Sequence, residues 1–264
     1  MQHIYPCGDL RNLLVTISYD GRSFHGWQIQ QNAFTVQEVF QTSLEKIIGS
    51  DFDVKGCSRT DSGVHANMYC ISLKTSHPIK PERLKAVLNR WLPKTVAVLD
   101  CKEVSLDFHA RYSCVSKEYI YKIWNSEVRN PFLDGYALHY RYKIDEEMLN
   151  KAAQAYVGSH DFTSFCTLDN REKGDMTRNV KSFSVTRDGD LVTMKVEADG
   201  FLYNMVRIMV GTLLRIQQGK IPADGIAEII EKKDRKFAGP TAQACGLYLN
   251  KVNYEGIVYI LSRE

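Results

Sequence analysis

No C-x-x-C pair occurs in the 264 residues, neither H-x-E nor P-C-x-x-C is present, and no apolar run is long enough to cross a bilayer. Each absence excludes a class. The seven cysteines (Cys7, Cys57, Cys70, Cys101, Cys114, Cys166, Cys245) are odd in number and scattered, which argues against a disulfide framework and matches a reducing compartment. Without the metal motif of the base deaminases, that zinc chemistry is excluded. The most apolar stretch, Phe201 to Ile216, is broken by Asn204 and Arg207 and is too short for a membrane span. Met1 to Asn12 lacks a basic-then-apolar leader, so a cytoplasmic protein with no membrane attachment is expected. A surplus of one charge is missing too: 34 Lys+Arg against 31 Asp+Glu leave a net +3. Capture of a polyanion by net charge alone is therefore not expected, and a nucleic-acid partner would need a local basic surface. What remains, 44% hydrophobic and 25% charged, is ordinary globular composition, enough for one large or two modest domains.

The pattern alternates strand and helix. Leu13 to Ser18 reads as a strand ending at the turn Tyr19-Asp20-Gly21. Thr35-Val36-Gln37-Glu38 has the capping-box form, and Val36, Val39, Phe40, Leu44, Ile47 and Ile48 follow helical spacing up to Gly49. Strands are expected near Phe52 to Cys57 and Ala66 to Leu73. A helix marked by Leu84, Val87, Leu88 and Trp91 lies between Pro81 and Pro93, and a strand follows over Val96 to Val104. The order then recurs. Tyr119 to Trp124 is strand-like, Asp145 caps a helix, and Val180 to Ala198 alternates about Asp188-Gly189 as a hairpin. Phe201 to Gln217 reads as a buried helix, Ala223 to Lys232 as another, and Leu247 to Tyr254 as a last strand. The expected architecture is α+β in two halves, 1–110 and 111–264.

Three features invite chemistry. Gly56-Cys57-Ser58-Arg59-Thr60-Asp61-Ser62-Gly63-Val64-His65-Ala66 places Arg, Asp and His between glycines directly after a strand. From the residues alone the plain reading is a turn in which Asp61 caps the Gly63 amide or a neighbour. Arg207 lies within an apolar helix pattern, so it either meets a carboxylate or reaches back to solvent along its stem. Phe108-His109-Ala110-Arg111-Tyr112 through Lys117-Glu118-Tyr119-Ile120-Tyr121 interleaves rings and cations, as a base-stacking surface does or as a half-buried strand does.

Taken in order, these segments resemble the TruA-type tRNA pseudouridine synthases. The resemblance runs through Tyr19-Asp20-Gly21 with Gly26-Trp27-Gln28, Thr35-Val36-Gln37-Glu38, Arg59-Thr60-Asp61-Ser62-Gly63-Val64-His65-Ala66 and Phe108-His109-Ala110-Arg111. It continues through Asp161-Phe162-Thr163-Ser164-Phe165, Asn204-Met205-Val206-Arg207, and Ala238-Gly239-Pro240-Thr241-Ala242 with Gly246-Leu247-Tyr248-Leu249. It implies the pseudouridine synthase fold, two related α/β halves whose antiparallel sheets join across a central catalytic cleft. It also implies a homodimer acting on the anticodon stem-loop of tRNA, with no cofactor and no metal.

By the same resemblance Asp61 is the nucleophile, Arg207 its salt-bridge partner, and Tyr119 the ring beneath the target base and a candidate proton acceptor. Arg59, Gly63, His65, Arg111 and Leu247 are the implied substrate contacts. Cys57-Ser58 and Gln243-Ala244-Cys245 depart from the family pattern, which bears on loop shape. Two other readings fit the residues less well. An RNA N-glycosidase would ordinarily want a second carboxylate, and the loop offers Asp61 alone; a non-catalytic RNA-binding α/β module would use only the aromatics. If tRNA is the partner, charge placement must do what net charge does not. Arg111 to Lys143 holds six basic and three acidic residues, and a basic cleft balanced by acidic outer helices such as Asp145 to Glu147 is expected.

Overall fold

The computed structural model describes residues 8–168 and 174–257, so Cys7 lies outside the described residues. The chain divides into two compact units, the described parts of Met1–Val115 with Leu249–Glu264, and Ser116–Tyr248. This division differs from the expected halves 1–110 and 111–264, because the chain returns to the first unit in its last strand. The class is the expected mixture of helices and antiparallel sheet.

In the first unit β1 (Arg11–Tyr19) is flanked by strands on both edges. It carries α1 (Val36–Ile48), β2 (Asp53–Gly56), β3 (His65–Thr75), α2 (Pro81–Trp91) and β4 (Val96–Val104) after it. β1 pairs antiparallel with β3, Ile17 opposite Tyr69, and with β4, Val15 opposite Cys101; β2 extends along β3. Leu13 to Ile17 are buried without alternation, because a central strand has its two faces covered. α1 begins where Thr35 accepts from the Glu38 amide and ends at Gly49, burying Val36, Phe40, Leu44 and Ile48. α2 buries Leu84 and Leu88, whereas Trp91 is 54% exposed with the Lys46 ammonium over its ring at 5.4 Å.

The second unit is built on β5 (Cys114–Trp124), β6 (Leu138–His139), α3 (Glu146–Ala153), β7 (Gly158–Asp161), β8 (Thr177–Asp188), β9 (Leu191–Ala198), α4 (Met205–Gln217) and α5 (Ile226–Lys232). Its strands run in the order β5-β9-β8-β7, with the short β6 parallel to β5. The hairpin turns through Gly189 (φ +55°) and Asp190 between the paired Asp188 and Leu191; its buried residues alternate from Phe183 on, while a register shift between Val180 and Ser182 sets Val180 three residues before Phe183. Helix α4 is buried nearly all round but starts at Met205, not at Phe201, since Asn204 is left-handed (φ 62°) and halts the helix there. α5 starts at Ile226, after a turn closed by the Gly225 amide on Pro222. The chain ends its described course in β10 (Leu247–Tyr254), whose portion from Leu249 belongs with β3 in the first unit; Asn67 and Asn250 bond there at 2.7 Å. Among the described residues no helix is long and apolar enough to cross a membrane.

Candidate active site

In the first unit, Asp61 opens a four-residue turn. The Val64 amide donates to the Asp61 carbonyl at 3.2 Å, and Gly63 has φ +78°. A positive φ at the third residue makes the turn type II, where glycine fits with least strain. The Gly63 amide donates to the Phe24 carbonyl at 3.1 Å, so the group that a plain T-D-S-G turn would offer to its aspartate is bonded elsewhere. Asp61 is half-buried, and Arg59, two residues before it, is exposed.

The turn sits in a seat supplied by the Tyr19 to Trp27 segment, which has no regular pattern in the sequence. A Cβ on Gly21 would stand 2.0 Å from the Val64 carbonyl oxygen, and one on Gly26 (φ +81°) 2.1 Å from the Thr60 oxygen. Only glycine permits these approaches. Tyr19 Oη and Thr60 Oγ1 bond at 2.9 Å, and the Trp27 amide reaches the Thr60 carbonyl. Beneath, Trp27 stacks on Tyr69 with centroids 4.3 Å apart, and the Tyr69 hydroxyl donates to the Ser58 carbonyl. Cys57 is fully buried, its amide and sulfur both bonded to the backbone of Cys70, so the departure at Cys57-Ser58 is absorbed inside the strand end.

His65 belongs to this seat. It is 1% exposed, and its Nδ1 accepts from the Gly21 amide at 3.1 Å. Asp20 Oδ1 approaches the same nitrogen at 3.4 Å. His65, expected as a substrate contact, is placed to hold the loop. Arg111, also expected as a contact, is exposed, with its guanidinium 5.8 Å from the centroid of Tyr112. Burial lowers the pKa of the neighbouring His109.

In the second unit, Arg207 stands in the first turn of α4, half-buried. Its Nε donates to the Ala242 carbonyl at 2.8 Å and its Nη1 to Asn204 Oδ1 at 2.9 Å, while the Ala242 amide donates back to the Arg207 carbonyl at 3.0 Å. Bonds from a charged donor are about twice as strong as neutral ones. Asn204 is itself fixed, Nδ2 donating to Thr167 Oγ1 at 3.0 Å. The 238–242 segment can lie this close to α4 because two glycines meet: a Cβ on Gly211 would be 1.7 Å from the Pro240 oxygen, and one on Gly239 2.5 Å from the Gly211 oxygen. Asn204 and Ala242 bond Arg207 directly, and the contact of Gly211 with Gly239 and Pro240 brings the Ala242 segment within reach of it.

Tyr119 lies on β5 opposite Val196, 6% exposed, with Phe201 edge-on at 5.0 Å. Leu247 is buried where β10 begins. Ahead of it, the Tyr121 hydroxyl donates to the Gln243 carbonyl at 2.8 Å, and burial raises that hydroxyl's pKa. This bond anchors the Gln243-Ala244-Cys245 departure. Asp61, Arg59, Gly63, His65 and Arg111 therefore belong to the first unit, and Tyr119, Arg207 and Leu247 to the second. Among the described residues, no three His, Cys, Asp or Glu side chains gather as a metal would require.

A family model described as tRNA pseudouridine synthase matches residues 15–113 and 152–255. The tRNA pseudouridine synthase A of Thermoanaerobacter sp. (strain X514) is 42% identical over 245 residues, covering 93% of this chain and 100% of that protein. The tRNA pseudouridine synthase A of Clostridium acetobutylicum is 41% identical over 245 residues with the same coverage. The tRNA pseudouridine synthase A 2 of Bacillus anthracis is 37% identical over 246 residues, again 93% and 100%. The matched stretches take in the seated turn around Asp61 and the held arginine of α4, and on this ground the chain belongs to the tRNA pseudouridine synthase family.

Proposed function

We infer that this protein isomerises uridine to pseudouridine in tRNA, at the anticodon stem-loop, with Asp61 as nucleophile. Family membership supports the reaction. The observation that carries the assignment of Asp61 is the seated turn. A nucleophile gains from being held in one place, since good orientation supplies several kcal/mol of a barrier. Here glycine-to-carbonyl contacts at Gly21 and Gly26 flank that one carboxylate.

The reaction conserves atoms and electrons. The N1–C1′ bond breaks, the uracil turns, a C5–C1′ bond forms, and the proton lost from C5 is balanced by one gained at N1. No redox partner is needed. Asp61 attacks as the carboxylate, at C6 of the base or C1′ of the sugar, and Arg207, aimed by Asn204 and Ala242, pairs with it. Extruding the base costs a few kcal/mol, partly offset by stacking on Tyr119 worth roughly 1–3 kcal/mol. Arg59 helps hold the flipped nucleotide out of the stack, Arg111 contacts the substrate, and a homodimer clasps the tRNA.

The test is tritium release from tRNA labelled at uridine C5, wild type against Asp61→Asn. The variant is expected to lose release by several orders of magnitude while keeping tRNA affinity, because phosphate contacts supply most of that affinity. Equal release from the two proteins overturns the assignment, and free uracil in place of pseudouridine moves the protein to the N-glycosidases.

A further inference from the structure

The basic stretch noted in the sequence between Arg111 and Lys143 ends in His139-Tyr140-Arg141-Tyr142-Lys143, which the active site does not use. In the second unit these residues form a strap held through its main chain. Asn125, 7% exposed, donates from Nδ2 to the carbonyls of Tyr140 at 2.8 Å and Tyr142 at 2.7 Å, and its Oδ1 accepts from the Ile144 amide at 3.0 Å. Arg187 Nη2 donates to the Ile144 carbonyl at 2.8 Å and to Asn125 Oδ1 at 3.0 Å, and Gln217 Nε2 donates to the Lys143 carbonyl at 3.1 Å. The carbonyls of Tyr140, Tyr142, Lys143 and Ile144 are thus all tied inward.

The side chains go the other way. Arg141, Tyr142 and Lys143 are all exposed, Tyr142 by 64%. The Arg141 guanidinium lies 5.3 Å from the centroid of the Tyr142 ring, and Tyr140 meets Tyr142 edge-on at 6.0 Å. Only Ile144 anchors the strap by hydrophobic burial, at its C-terminal end; Arg141, Tyr142 and Lys143 are all exposed, and a buried Asn125 orders that stretch through the main chain. Neighbouring acids are engaged elsewhere: Asp145 caps α3 through the Met148 amide, and Glu146 pairs with Arg187 at 2.9 Å. Lys143 acts on Glu146 only through its charge, the weakest of the influences on that carboxyl and behind the Arg187 bond. Beside the strap, where Gln218 meets the Tyr140 hydroxyl, a groove of about 390 Å³ has Arg215 and Lys220 in its lining, with Leu138, Gly211, Leu214 and Pro240 to Gln243 making up most of the rest.

We propose that this strap, with the Arg215 and Lys220 side of the groove, is a docking surface for the tRNA backbone outside the catalytic pocket, Arg141 and Lys143 contacting phosphates and Tyr142 an unpaired base or ribose. Charge complementarity selects the partner: a row of exposed cations around an exposed ring is costly next to a protein's mixed surface and well matched to a polyanion carrying rings. The inference rests on tRNA being the substrate, as proposed above.

The experiment measures tRNA affinity across a salt series for wild type, Arg141→Ala/Lys143→Ala, Tyr142→Ala, and the control Arg90→Ala/Lys94→Ala, which removes the same charge from α2 and the loop after it. Removing one protein–phosphate interaction lowers the slope of log affinity against log salt by about 0.7–0.9. The strap double variant is expected to bind about tenfold more weakly at moderate salt, with the slope lower by about 1.5. Tyr142→Ala is expected to lose affinity with its slope unchanged. Wild-type affinity and slope in the strap variants overturn the proposal, as does an equal loss in the control, which would reveal a bulk-charge effect. A change in sedimentation mass in the strap variants also overturns it, since the face would then belong to a second copy of the chain. If the wild type binds tRNA with these properties but makes no pseudouridine, the catalytic reading fails and the surface stands.

Discussion

Replacing Gly21 with Ala tests whether the seat places the nucleophile. Gly21 lies in a buried turn outside the left-handed region, so alanine brings little backbone strain of its own, and the effect is steric. The new Cβ would stand 2.0 Å from the Val64 oxygen and 2.4 Å from its carbon, both main-chain atoms, where contacts under 3.0 Å do not occur. The turn or its seat must retreat by about 1 Å. Asp61 travels with Val64, since the Val64 amide closes the turn on the Asp61 carbonyl. A misplacement of about 1 Å can cost 10²-fold in rate, about 2.7 kcal/mol of transition-state stabilisation. Overpacking costs stability as well, about 1–3 kcal/mol, a melting shift of several degrees. Single-turnover pseudouridine formation with saturating tRNA measures the first and thermal unfolding the second. A folded Gly21→Ala protein with wild-type turnover would show that Asp61 is placed by something other than this seat.

Two further outcomes follow from the second unit. Asn204→Gly keeps the left-handed backbone and removes the carboxamide that holds Arg207; turnover is expected to fall about 10- to 100-fold, with a melting temperature lower by a few degrees because the bonds to Arg207 and Thr167 are both lost. Full activity would sever Asn204 from Arg207's task. Asp161 accepts from the Thr163 amide at 3.0 Å and hydroxyl at 2.6 Å and pairs with Lys233 at 3.0 Å. Burial alone would raise its pKa, but the Thr163 and Lys233 bonds prevail and hold it below 3.8. A depressed carboxylate stabilises the fold above its ordinary value, and that contribution is lost as pH falls through the folded value. Asp161→Asn is therefore expected to be less stable than wild type at neutral pH and to lose less on acidification below 3.8, read by unfolding midpoints across the acid range.

Legibility in the sequence follows locality. The start of α1 can be read because Thr35 and Glu38 are three residues apart and the buried positions repeat with the helix period. The β8–β9 hairpin is equally plain, since alternation and a Gly turn sit in one short segment. The start of α4 is hidden: Asn204 leaves helical geometry to reach Thr167 and Arg207, and the first of these partners is remote in sequence. Trp91 shares the spacing of Leu84 and Leu88 but falls past the covered face at the helix end. At the candidate site the reactive letters are visible, whereas what positions them is not. Gly21 and Gly26 are ordinary turn residues until their missing Cβ atoms are set against Val64 and Thr60.

The return of β10 to the first unit bears on synthesis. The first unit holds residues up to Val115 and takes its last strand only from Leu249 onward. A chain emerging from the ribosome therefore carries β3 with the part of its edge that β2 leaves uncovered vacant through the making of the whole second unit, whose residues Ser116–Tyr248 are contiguous. An open strand edge is a template for mispairing. Order of completion runs against order of synthesis, and the unit that carries Asp61 is the last to close.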